Sequence, residues 1–238
     1  MAQAVPVGGI IVAKIGSSTL VDESGRIDTV FVHALCDQIA ELVSAGVHVV
    51  LVSSGAVAAG FERLGFSDRP SDIATLQACA SAGQVALAET YGEVLAEHGI
   101  ACGQVLLTRR DVIDRSGYLN ARTTLLRLIE LGCVPVVNEN DTVSVAEFTF
   151  GDNDTLGAIT ATLIAADLYV ILSDVEGLYT ANPQEHPDAR LIPKVSHVDG
   201  RITSMAEGSG STLGTGGMET KLRAARATLA AGIPTVIC

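Results

Sequence analysis

Tryptophan is absent from the 238 residues, and Phe, Tyr and Trp together make up only 4% of them. The 48% of hydrophobic residues is therefore mostly Ala, Val, Leu and Ile, a palette that suits buried parallel strands covered by Ala-rich helices. Basic residues are also scarce: 15 Lys and Arg face 27 Asp and Glu, for a net charge of −12. That balance argues against a nucleic-acid partner or an anionic membrane surface. An anionic ligand would need local cations, held against an unfavourable mean field. The five cysteines (Cys36, Cys79, Cys102, Cys133, Cys238) are odd in number, widely spaced and form no C-x-x-C pair. Neither a disulfide framework nor a zinc site is expected, and a reducing cytoplasm is. No apolar run reaches membrane-spanning length, and Met1 to Pro6 lack the layout of a signal peptide.

Further absences narrow the chemistry. The Gly-rich stretch Leu213 to Lys221 is not a P-loop, because Lys221 follows Thr220 rather than glycine. It is not a dinucleotide fingerprint either, since Glu219 stands where the third glycine should be. The histidines (His33, His48, His98, His186, His197) show no ligand spacing, and no Ser/His/Asp or Cys/His set stands out.

What is present alternates regularly. Apolar runs at Gly9–Ile15, Val47–Val52, Gly103–Leu107, Cys133–Val137, Leu168–Leu172 and Pro234–Ile237 read as strands, with Leu191–Val195 a further short one. Between them lie helical patterns at Asp28–Ala45, Ala74–His98 (interrupted around Ser81–Gly83), Tyr118–Leu131, from Asp154 onward, and Leu222–Ala231. The pattern predicts one α/β domain, a three-layer αβα sandwich around a mostly parallel sheet. Glu147–Phe150 is short, alternating and aromatic, as expected for one arm of a hairpin over a site.

Two polar clusters dominate the middle of the chain. Asn138-Glu139-Asn140-Asp141 follows a strand, and Gly151-Asp152-Asn153-Asp154 opens a helix. Each alone could be a turn or a cap; together they fall where open α/β sheets bind ligands. Lys14 is an anomaly within an apolar strand, because a buried ammonium is costly unless paired. Either it reaches solvent at the strand end, or it points at a phosphate, with Gly16-Ser17-Ser18 offering backbone N–H groups. Ser53-Ser54-Gly55-Ala56 repeats the arrangement after the second strand and fits close ligand approach and tight packing equally. The Gly-rich turn before Lys221 could hold nucleotide phosphates. Lys14, Lys221 and Asp154 are the residue types that phosphoryl transfer requires, two cations and a carboxylate to hold them.

These segments, taken in order, resemble the amino acid kinase family, and within it the members that phosphorylate glutamate. The resemblance runs through Val12–Gly16, Val52–Ala56, Gln104–Thr108, Tyr118–Arg122, the N-E-N-D and G-D-N-D clusters, Ser173-Asp174 with Gly177–Tyr179, and Leu213–Met218. It implies ATP-dependent phosphorylation of the L-glutamate γ-carboxylate to glutamyl 5-phosphate, the first step of proline biosynthesis. On that resemblance Lys14 and Lys221 stabilise the transferring phosphoryl group and Asp154 orients them. Ser54, Asp141 and Asn153 contact glutamate, with Asp141 suited to its α-ammonium. Lys14, Gly16, Ser173, Asp174, Thr215, Gly216, Gly217, Met218 and Lys221 form the ATP site. The resemblance also implies Mg2+, a homo-oligomer (dimer or tetramer) and feedback inhibition by proline. It further implies a kinase domain over residues 1–238 that ends early at Cys238, without the RNA-binding-like PUA domain many members carry. The alternatives are a related kinase acting on N-acetylglutamate, aspartate, carbamate or UMP, and a non-catalytic proline- or nucleotide-sensing module.

Overall fold

The apolar runs form strands and the amphipathic stretches form helices, one or two helices between successive strands. In a computed structural model that describes residues 5–22, 26–66, 70–144, 152–183, 185–206 and 217–238, the order is β1 (Ile10–Ile15), α1 (Ser17–Leu20), α2 (Thr29–Ser44), β2 (His48–Val52), α3 (Ala56–Leu64), α4 (Ile73–Glu97), β3 (Cys102–Leu107), α5 (Arg109–Ile113), α6 (Arg115–Glu130), β4 (Val134–Glu139), α7 (Asn153–Ile164), β5 (Leu168–Leu172), α8 (Gly200–Ser204), α9 (Met218–Ala230) and β6 (Thr235–Ile237). The strands make one sheet in the order β3-β4-β2-β1-β5-β6, and every pairing is parallel. Asp side chains start the longer helices: Asp28, Asp72 and Asp152 each accept a backbone N–H from the first turn, which satisfies a donor the helix itself cannot.

The sheet is covered on both faces. Alternation along a strand sends successive side chains to opposite sides. Val12, Val50, Val52 and Val137 pack with Leu125 of α6, Leu156 and Ala161 of α7 and Ala224 of α9. Ala13, Ile15, Val49, Leu51 and Val136 pack with Leu35 and Ile39 of α2, Ala56 of α3 and Leu87 and Leu95 of α4. A smaller cluster joins Leu178, Ala206, Met218 and Leu222 beside β6. The predicted three-layer αβα sandwich is therefore the fold, with a sheet that is wholly rather than mostly parallel.

Three local expectations differ from what forms. The helix expected to break at Ser81–Gly83 is one continuous 25-residue α4. Gly83 is there for contact: a Cβ on it would lie 1.8 Å from the Ala56 carbonyl oxygen, and one on Gly60 the same distance from that of Cys79. Leu191–Val195 forms no strand; Leu191 makes a single antiparallel bridge to Tyr179. The fourth strand runs two residues further than its apolar run, so Asn138 and Glu139 are paired strand residues rather than loop. Glu147–Phe150 and Gly151 lie outside the described residues.

Candidate active site

β1 is central, with β2 on one side and β5 on the other, so its carboxyl end is the switch point at which α/β sheets open a crevice. Strand alternation puts Lys14 on the same face as Val12, toward α7. There Asp152 caps the helix by accepting the Thr155 N–H at 2.7 Å, which fixes the first turn and turns Asp154 inward. Asp154 is fully buried, with Lys14 5% and Lys221 6% exposed. Lys14 Nζ lies 2.5 Å from Asp154 Oδ1, and Lys221 Nζ lies 3.4 Å from Oδ2. Of the two alternatives for Lys14, reach to solvent at the strand end is not the one that forms.

The trio carries two positive charges and one negative in a chain whose net charge is −12. Burial drives the Lys14 ammonium below its ordinary range; Asp154 opposes this, and Lys221 adds to it by repulsion. Burial raises the Asp154 carboxyl, but Lys14 and then Lys221 more than reverse that, holding it below the usual carboxylate range. The carboxylate has two stabilising cations, while the two lysines share Asp154 as their ion-pair partner among the described residues, with Asp152 acting on Lys14 as a weaker influence. The surplus charge suits an incoming anion. Gly16 lies two residues beyond Lys14, just past the end of β1, where a Cβ would stand 3.9 Å from Lys14 Nζ, an ordinary contact distance.

A second constellation adjoins the first through Asn153. Its Nδ2 lies 2.5 Å from Ser53 O, 3.0 Å from Ser54 Oγ and 2.9 Å from Asn138 Oδ1. Asn138 Oδ1 also accepts the Glu139 N–H. Its buried Nδ2 has no acceptor among the described residues, which leaves an unused donor at that strand end. Ser53 Oγ is 3.3 Å from the hydroxyl of Tyr91 on α4. Asp141 is half-buried just past β4. Burial first, then the charge of Glu139, pushes its carboxyl up to about 6, and no cation lies within ion-pair distance of it among the described residues.

The remaining candidates occupy the next loops along the same edge. Ser173 and Asp174 follow β5, with the Ser173 hydroxyl donating to Asp174 Oδ1 at 3.1 Å. Gly217 is the N-cap of α9, and Met218 buries its side chain in the small cluster with Leu178 and Leu222. Thr215 and Gly216 lie outside the described residues. The structure thus joins Lys14, Asp154 and Lys221 directly, joins Ser54 to Asn153, and sets Gly16 against Lys14.

The profile of the amino acid kinase family matches residues 9–238. The chain belongs to the amino acid kinase family. Among curated relatives in that family, a glutamate 5-kinase of a Polaromonas species is 50% identical over 227 residues, covering 95% of this chain and 60% of the relative. A glutamate 5-kinase of Ralstonia nicotianae is also 50% identical, over 95% of this chain and 61% of its own length. The chain therefore spans about three-fifths of the length of these relatives. Among solved structures, a carbamate kinase from Giardia lamblia bound to AMP-PNP superposes with a TM-score of 0.67 at 18% identity, over 97% of this chain and 92% of that one. At that identity the likeness concerns the amino acid kinase fold. Among the described residues no helix is long and apolar enough to cross a membrane.

Some residues at the site carried no individual role from sequence. Asn138 sits within a singled-out cluster, but its orphaned amide is visible only in three dimensions. Thr220, whose hydroxyl lies 2.8 Å from Asp154 Oδ2, was marked only by its position before Lys221. Tyr169, whose hydroxyl donates to the Asp154 carbonyl at 2.9 Å, reads as an ordinary strand aromatic.

Proposed function

We propose that this chain is the kinase domain of a glutamate 5-kinase, transferring the γ-phosphoryl group of ATP to the γ-carboxylate of L-glutamate. The observation that carries the reading is the buried trio of Lys14, Asp154 and Lys221, with its surplus positive charge, one residue away from the amide cluster at Asn153. Phosphoryl transfer is mostly positioning and charge neutralisation. In the proposed reaction a carboxylate oxygen of glutamate attacks the γ-phosphorus, the bond to the β-phosphate oxygen breaks, and ADP leaves with that electron pair. No protein nucleophile takes part. Lys14 and Lys221 bind the oxygens on which charge develops, and Asp154 holds both ammonium groups in place.

Ser54, Asn138, Asn153 and Asp141 suit the amino acid. The orphaned Asn138 amide is a donor for a carboxylate, and Asp141, whose carboxyl is raised by burial and then by Glu139, is a receptor for the α-ammonium. That feature favours free glutamate over N-acetylglutamate, whose nitrogen is uncharged. Gly16, Ser173, Asp174, Gly217 and Met218, with Thr215 and Gly216, form the proposed ATP site, where the amino end of α9 faces the phosphates. Among the described residues no group of three or more His, Cys, Asp or Glu side chains could hold a metal ion. Mg2+ would then come with the ATP phosphates, where it neutralises charge. Inhibition by proline, assembly into homo-oligomers and a cytoplasmic location complete the proposal.

The test is chemical. Incubation with MgATP, glutamate and hydroxylamine should give γ-glutamyl hydroxamate in step with ADP release, because an acyl phosphate acylates hydroxylamine. Proline should suppress both. ADP release without hydroxamate, or hydroxamate only with another acceptor, would overturn the assignment.

A further inference from the structure

Asp154 can divide itself between two lysines only if its carboxylate stays in one orientation. An isolated carboxylate between two flexible ammonium groups could instead turn to favour either. The side chain that prevents this comes from the first turn of α9. Thr220 Oγ1 lies 2.8 Å from Asp154 Oδ2 and 2.8 Å from the carbonyl oxygen of Gly217. Both partners accept only, and the hydroxyl has a single hydrogen, so it goes to the ionised carboxylate as the stronger acceptor.

We propose that Thr220 is a positioning residue for phosphoryl transfer, its hydroxyl locking the Asp154 carboxylate with Oδ1 toward Lys14 and Oδ2 toward Lys221. The inference rests on the proposed function for the reaction served, but its geometry stands apart. Threonine suits the task. Its β-branch restricts χ1 in a helix, which holds the hydroxyl in place toward Asp154. Through the bond to Asp154 the first turn of α9, which presents Lys221, is tied to the first turn of α7, which presents Asp154. A second constraint acts on the backbone: the Tyr169 hydroxyl donates to the Asp154 carbonyl. It fits because residue 157 is glycine, where a Cβ would stand 2.3 Å from that oxygen.

Thr220→Val keeps the branched shape and removes the hydroxyl; Thr220→Ser keeps the hydroxyl. The Val variant should melt near wild type and lose about 10- to 100-fold in kcat, the range of one charge-assisted hydrogen bond. Its KM for glutamate should stay within about threefold, and Ser should restore most of kcat. Carbon-13 NMR titration of the aspartate carboxyls should show Asp154 titrating at higher pH in the Val variant and near wild type in the Ser variant, since a hydrogen bond to the charged form is lost and regained. A Val variant with kcat within about twofold of wild type, or a Ser variant as impaired as Val, would overturn the positioning role. Should wild-type protein itself show no turnover on any acceptor, the reaction falls instead. Thr220 is then judged by the titration, which overturns the proposal if Asp154 is unmoved by Val.

Discussion

Asp141 and Asp154 lie in neighbouring polar clusters, and the structure treats them in opposite ways. Asp154 is fully buried between two ammonium groups and a hydroxyl, and its carboxyl lies below the ordinary range despite its burial. Asp141 is half-buried with Glu139 as its charged neighbour, and its carboxyl is pushed up to about 6. The difference lies in partners rather than depth. The more buried carboxylate is the more acidic one, because its counter-charges come from the protein. The less buried one has no counter-charge within ion-pair distance among the described residues. In the proposed reaction that charge is the α-ammonium of the amino acid. In the same proposal the surplus cation of the Asp154 trio would meet the phosphates.

The largest break in this contrast comes from neutralising Asp154. Asp154→Asn leaves two buried lysines facing each other without an anion. Turnover should fall by roughly 1,000-fold or more, and stability by about 3–5 kcal/mol, the cost of uncompensated buried charge. Lys14→Met or Lys221→Met should cost a comparable factor in kcat while folding nearly normally, since each leaves a one-to-one ion pair; steady-state kinetics with denaturant melts separates the cases. A Lys14→Met enzyme with near-wild-type kcat would remove that lysine from the mechanism.

Asp141→Asn should act on binding instead. The KM for glutamate should rise by about 100-fold with the KM for ATP nearly unchanged, as expected for a lost charge-assisted contact. The same change should stabilise the empty protein. A carboxyl raised in the folded state supports folding only while protonated, and that contribution is lost as pH rises from about 4 through about 6. Asn should therefore gain about 1 kcal/mol at pH 8, a figure discounted for partial exposure, and nothing near pH 4. A smaller effect needs no substitution. Lowering pH from 7 to 5 should raise the glutamate KM about tenfold as Asp141 takes up its proton, and the pH dependence should vanish in Asp141→Asn. Smallest of all, Tyr169→Phe should cost about 1 kcal/mol in a denaturant melt through its bond to the Asp154 carbonyl.

How far the sequence disclosed this site depended on whether the signal was local. Lys14 stood out because an ammonium in an apolar strand is improbable without a partner, and that partner proved to be Asp154. The strands were legible as apolar runs, and the helical patterns from Asp28 and after the Gly151–Asp154 cluster as helices. Gly83 misled, because a glycine inside a helical pattern reads as a weak point when it is in fact where α4 meets the Ala56 carbonyl. Asn138 and Glu139 read as loop because polarity masks a strand whose pairing partners, Leu106 and Leu107, lie far away in sequence. The bonds from Thr220 and Tyr169 to Asp154 span 66 and 15 positions. No spacing rule predicts either.

The most direct test compares two acceptors that differ at the nitrogen alone. ADP release with MgATP is followed with L-glutamate and with N-acetyl-L-glutamate, in wild-type protein and in Asp141→Asn. The account predicts wild-type turnover on glutamate at least about 100-fold more efficient in kcat/KM than on the acetylated acceptor, with Asp141→Asn erasing most of that preference. Equal use of both acceptors by the wild type, or a preference that survives in Asp141→Asn, would contradict the assignment of Asp141 to the α-ammonium and with it the choice of substrate.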